Sequence, residues 1–188
     1  NGFISMLETG VKNSMTVKLD GLIMRTINNM TGQILNSANG LQKVNLLTEY
    51  NTASGQTLTA NKALMDKDFL KFASLTIKKY QARITKMSTL FNAGGKARFT
   101  TTDNLHTVLL SDFADSAEVY LLSDTYHNDT VSLPNHETVP YWQGSGKSYA
   151  FNDISKIDVK IDAGNKTAKQ VTQTGILGVM FDTNALGV

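Results

Sequence analysis

Apolar residues recur along this chain with two periods, and the longest regular run lies over Asp66–Phe91. Phe69, Ala73, Ile77, Tyr80, Ile84, Met87 and Phe91 follow one another in steps of three and four, the spacing of a single helix face. The opposite seam, Lys67, Lys71, Ser74, Lys78, Gln81, Thr85, Ser88 and Asn92, is wholly polar. Asp66 is placed to cap the first turn, Asp68 complements the helix dipole, and Gly94-Gly95 offers a stop. At ~1.5 Å per residue such a helix is about 39 Å long. A compact chain of this size has a radius of gyration of roughly 16 Å. The helix therefore crosses nearly the whole molecule, and other elements must pack along it.

The same period predicts a second helix over Thr16–Asn36, with Leu19, Ile23, Ile27, Met30 and Ile34 as its seam. Gly21 and Gly32 interrupt it, each at a cost of ~1 kcal/mol relative to alanine. Val44–Leu47 reads as a short strand and Asn51–Thr59 as an exposed loop. Ala97–Thr101 reads as a strand. Asp103 opens a short helix holding Leu105, Val108, Leu109 and Phe113, and Glu118–Leu122 reads as another strand. Ser123–Glu137 has the composition of a loop. Val139–Trp142 and Lys147–Phe151 read as extended.

The period then changes to two. Ile157, Val159 and Ile161 alternate with charged residues, the mark of a half-buried strand. Ala163–Gln173 reads as a polar turn, and Ile176–Phe181 as a strand covered on both faces. Helices first and strands last imply an α+β fold, with helices packed on one sheet. The loop at Asn51–Thr59 divides it into residues 1–59 and 60–188.

Composition narrows the function. The chain has 188 residues, a formal net charge of +2 and no cysteine. Thiol nucleophiles, thiolate metal sites and disulfides are thereby excluded, and the charge is too small to imply nucleic acid on its own. No apolar run reaches the ~20 residues a membrane helix needs. The start, Asn1-Gly2-Phe3, carries neither an initiator methionine nor a leader pattern, and the end follows an apolar run, so truncation at both ends is the expectation.

No catalytic constellation assembles. Gly144-Ser145-Gly146-Lys147-Ser148 imitates the tail of a phosphate-binding loop, but Tyr141 stands where its first glycine belongs. His106, His127 and His136 lack ligand spacing, and Asp112, Asp115 and Glu118 read as a solvated acidic turn. Asp182-Thr183-Asn184 begins like a calcium loop without its glycine and distal glutamate. No catalytic, cofactor-binding or metal residue is therefore assigned. The lysines of the central helix form a basic face without interleaved aromatics, which does not favour base stacking.

The order of these elements resembles a known family. The carrying segments are Ile34-Leu35-Asn36-Ser37-Ala38-Asn39-Gly40, Asp66-Lys67-Asp68-Phe69-Leu70, the run from Ala97 to Leu110, and Gly175 to Val188, which ends Phe181-Asp182-Thr183-Asn184-Ala185-Leu186-Gly187-Val188. Together they look like the major capsid proteins of tailed bacteriophages, with the shell fold named after phage Hong Kong 97. The resemblance implies that Thr16–Asn36 is the spine helix of a peripheral domain within residues 1–59, and that 60–188 form an axial-type domain. It implies a structural, non-enzymatic subunit of an icosahedral shell around a phage genome, found in the virion and, during assembly, in the host cytoplasm. Its partners would be identical subunits in hexamers and pentamers, with packaged DNA on the inner face and scaffold, portal or decoration proteins as further candidates. Two other readings stand beside it: an adhesin-like binding module using an exposed aromatic patch at Tyr141 and Trp142, and a nucleotide-binding enzyme using Gly144–Ser148.

Overall fold

The computed structural model describes residues 22–37, 42–88, 97–123, 133–143, 148–161 and 168–183. Helix α1 spans residues 22–36. It is followed by α2 (Leu46–Ser54), α3 (Ala60–Ala63), α4 (Lys67–Ile84), β1 (Leu105–Leu110), α5 (Ser111–Ser123), β2 (Glu137–Val139), α6 (Phe151–Ile154), β3 (Ile157–Ile161), β4 (Lys169–Gln173) and β5 (Gly178–Asp182). Mixed helix and strand content makes the chain α+β, as its periodicity implied. The strands form two sheets rather than one: a mixed β2-β1-β5 sheet and a β3-β4 hairpin.

The central helix forms where expected but is shorter. Asp66 Oδ1 accepts from the Phe69 N–H at 2.8 Å, the cap read from the sequence. The helix closes at Ile84 after 18 residues, about 27 Å at ~1.5 Å per residue. Beyond it the backbone turns into an antiparallel bridge between Ser88 and Arg98, so Met87 leaves the seam and is exposed. Phe91 and the Gly94-Gly95 stop lie outside the described residues. Ala97–Thr101 forms only this bridge, not a strand.

The polar seam of α4 is not wholly in water. Ser74 of that seam is buried, as is Thr76 outside it, and their hydroxyls donate to Leu70 O at 2.9 Å and Phe72 O at 2.8 Å. A hydroxyl bonded to its own helix satisfies itself and can enter a core. Gln81 donates to Thr107 Oγ1 at 2.8 Å, tying α4 to β1.

Val44–Leu47 is not a strand. Asn45 Oδ1 caps α2 through the Thr48 N–H at 3.1 Å, and Gly55 in the left-handed region (φ 70°) ends the helix. The loop after it is pinned by Asn51, whose amide donates to Leu58 O and accepts from Leu58 N, both at 3.0 Å. Tyr50 meets Phe69 and Phe72 edge-to-face, each at 5.7 Å between ring centres, so α2 packs on α4.

Leu105–Leu110, expected to be helical, is the middle strand of the mixed sheet. It pairs in parallel with β2 (Val108 with Glu137) and antiparallel to β5 (Leu105 with Asp182). Helix elsewhere on the sheet covers it, so Val108, Leu109 and Leu110 are all buried. Two-sided burial erases the alternation that marks a strand, and the run imitates a helix. Glu118–Leu122, expected as a strand, belongs instead to α5, whose Phe113, Ala114, Ala117 and Leu121 are buried at helical spacing. Of the late apolar run Ile176–Phe181, only the part from Gly178 enters β5, an edge strand covered only in part; β1, not β5, is the strand enclosed on both faces.

β3 alternates as read, with Ile157, Val159 and Ile161 inward. The supposed turn before β5 contains β4, a polar edge strand paired with β3 from Ile157–Gln173 to Ile161–Lys169. The other edge of β3 is capped by the Gln143 side chain, which donates to Asp158 O at 2.8 Å and accepts from Asp158 N at 2.9 Å. An amide side chain here takes the place of a neighbouring strand.

Helix α1 lies across this hairpin. A Cβ at Gly32 would stand 2.3 Å from Val159 Cγ2, so the glycine that looked like a helix defect is a point of close approach. Ile27, Asn28, Thr31 and Gly32 are buried, while Ile23 is exposed, so the packed face is rotated from the expected seam. Thr16, Leu19 and Gly21 of the expected helix lie outside the described residues. Lys43 Nζ donates to Leu35 O (3.3 Å) and Ser37 O (2.6 Å) and closes its carboxyl end.

Candidate functional site

Trp142 is one of the two aromatics on which an alternative reading rests. It is fully buried, its indole N–H donates to Ile176 O at 2.8 Å, and its carbonyl accepts from Asn28 Nδ2 at 2.7 Å. It is a core residue joining α1, the 142–143 segment and the approach to β5. Trp142 is therefore not available to the exposed aromatic patch of the adhesin-like reading, while its neighbour Tyr141 is exposed. Val139–Trp142 is extended only as far as Val139, where β2 ends.

The phosphate-loop imitation fares no better where it is described. Ser148 Oγ donates to Asp153 Oδ2 at 2.6 Å and accepts from the Ala150 N–H at 3.2 Å. They precede α6, a single turn over Phe151–Ile154; among the described residues of the expected extended segment Lys147–Phe151, none forms a strand, and Phe151 begins this helix. Gly144–Lys147 lie outside the described residues.

The two described histidines have separate partners. His106 lies on β1 rather than in a helix, stacked on Phe181 at 5.8 Å, with Nδ1 3.4 Å from Glu137 Oε1. His136 Nδ1 is 2.7 Å from Pro134 O on the surface. His127 lies outside the described residues. Among the described residues no group of three histidine, cysteine or acidic side chains is arranged to hold a metal. Thr183 Oγ1 donates to Asn104 O at 3.0 Å, which employs part of the calcium-loop imitation in tethering the end of β5. A recess of about 270 Å³ beside Tyr50 is lined by Gln56, Thr57, Leu58, Thr59, Lys62 and Asp66. Burial and then the charges of Asp66 and Asp68 push the Tyr50 hydroxyl above its ordinary pKa, so it stays a neutral phenol at physiological pH.

What the fold does present is charged helix surface. On α4, Lys78, Lys79, Ala82 and Arg83 surround an exposed Leu75. On α5, Asp112, Asp115 and Glu118 stand three residues apart beside an exposed Val119. The acidic residues are thus a helix face, not the turn the sequence suggested; their spacing of three was the available signal. At the base of the Ser88–Arg98 bridge, Met87 and Phe99 are also exposed. Exposed apolar side chains beside charge offer candidate contact surfaces.

A comparison with family models agrees. The model of the Phi29-like phage major capsid protein family matches residues 1–188. The chain belongs to that family. No curated protein and no solved structure matches it. The tailed-phage resemblance read from the order of elements is upheld at the level of a phage major capsid protein. As a member of the Phi29-like capsid family the chain is a structural subunit of the virion, which assembles with copies of itself into a shell. Among the described residues no helix is long and apolar enough to cross a membrane.

Proposed function

We propose that this Phi29-like capsid subunit adopts the Hong Kong 97-like shell architecture and tiles an icosahedral head as hexamers and pentamers. The observation that carries the reading is the whole-chain match to a phage major capsid family. The α+β organisation supports it: α1 lies on the β3-β4 hairpin, while α5 packs between α4 and the mixed sheet. In this reading residues 1–59 hold the spine helix and part of a peripheral domain, and residues 60–188 form the axial domain. Subunits fold in the host cytoplasm, meet scaffold, portal or decoration proteins there, and enclose packaged DNA against the inner face. No chemistry is asked of the subunit; the free energy of lateral contacts does the work.

The test is electron microscopy of the chain produced together with the other head proteins of its phage. Closed shells with five- and six-membered capsomers are expected. Particles built on another lattice, or only dispersed subunits under those conditions, would overturn the architecture.

A further inference from the structure

We infer that the basic face of α4 on one subunit docks on the acidic face of α5 on the next copy of the chain, forming a head-to-tail contact. The inference rests on the capsid assembly just described.

The two faces match in chemistry and layout. Around helix α4, Leu75, Lys78, Lys79 and Ala82 occupy one outward strip, with Leu75 49% exposed. Around α5, Asp112, Asp115, Glu118 and Val119 occupy another, with Val119 64% exposed. Each strip is an aliphatic side chain beside charges of one sign, and the signs are opposite. An apolar centre with a charged rim is the anatomy of a protein interface. Charge complementarity at the rim then sets partner and register more than affinity.

The strips do not serve each other within one subunit. α4 and α5 pack together, yet their inward residues are Leu70, Ala73, Ser74 and Ile77 on one helix and Phe113, Ala114, Ala117 and Leu121 on the other. Among the described residues no ion pair joins Lys78, Lys79 or Arg83 to Asp112, Asp115 or Glu118. Packaged DNA is the rival occupant of the basic strip. A phosphate backbone would leave Leu75 uncovered at its centre and Val119 without a partner, whereas a second copy covers both. Because the faces differ, the contact is heterologous, and repetition around an axis closes a ring.

The chain has no cysteine, so a disulfide can report the contact without background. Particles carrying L75C and V119C in the same chain, oxidised and run without reductant, should give a ladder of covalent oligomers ending at ring size. Each single variant should stay monomeric. Dimers from a single variant, or particles of the double variant that remain monomeric, overturn the inference. As a second route, K78E/K79E and D115K/E118K should each lower particle yield at least tenfold, and the chain carrying all four changes should recover it. All four positions are exposed, so the fold is spared. Normal yield from both reversed chains overturns the inference, and normal yield of K78E/K79E particles with less DNA assigns α4 to the genome instead. If the unaltered chain yields no particles, it is the assembly reading that falls.

Discussion

Replacing Gly32 with alanine sets two effects against each other, and their sizes follow from the contact with β3. In a helix interior the change is worth about 1 kcal/mol in favour of folding, because alanine loses less backbone entropy. The new Cβ, however, would stand 2.3 Å from Val159 Cγ2 and 3.3 Å from Ile161 Cγ2. Val159 is β-branched, sits in a paired strand and is buried, so it has little freedom to turn aside. Overpacking of this kind costs about 1–3 kcal/mol, and a contact this short belongs in the upper half of that range. The net expectation is destabilisation by about 1–2 kcal/mol, seen as a fall in Tm of roughly 2–8 °C. The assay is urea unfolding of the unassembled subunit, followed by the emission of Trp142. It is the sole tryptophan, is fully buried, and is bonded to Asn28 on the helix concerned. Removing the opposing methyl groups isolates the cause. In a Val159→Ala background the same Gly32→Ala change should stabilise, giving a coupling of about 2 kcal/mol or more across the cycle. Equal effects in both backgrounds, or a Gly32→Ala subunit more stable than the parent, would refute the close approach of α1 to the hairpin.

Three further outcomes are expected. Asp66→Ala should destabilise by about 0.5–2 kcal/mol through loss of the α4 cap, while Asp66→Asn keeps an acceptor and should lose less in the same urea titration. Trp142→Phe should leave the Ile176 carbonyl without its indole donor and destabilise by about 1–3 kcal/mol, read by calorimetry since the fluorophore is gone. Hydrogen bonds from Thr172 (2.7 Å) and Gln170 hold the Asp158 carboxyl below its ordinary value. A depressed carboxyl stabilises above its unfolded pKa of about 3.9 and loses that contribution as pH falls through the folded value. NMR titration of Asp158 should therefore show a midpoint below that of a free aspartate, and Thr172→Val should move it upward.

The sequence by itself determined what local chemistry dictates. Asp66 is a cap because its carboxylate satisfies an amide three residues ahead, whatever the rest of the molecule does. The α4 seam from Phe69 to Ile77 and the alternation of Ile157, Val159 and Ile161 were legible because each element is buried on one side, so its period survives in the order of residues. The resemblance to phage major capsid proteins was legible in the segments quoted for it, even where their elements were misread, and the absence of any cysteine removed whole classes of chemistry. Tertiary structure alone decided the rest. Leu105–Leu110 is enclosed on both faces, so nothing in its pattern distinguished strand from helix. Lys169–Gln173 has only Val171 for apolar packing and is a strand because β3 offers it a ladder, a partner that no local window contains. Gly32 and Trp142 read as a flaw and as an exposed aromatic, and became a seat and a core once α1 was laid on β3 and the 142–143 segment. The acidic and basic strips needed both helices in place before their opposition could be seen, since a face exists only after the fold has chosen which side of each helix to bury.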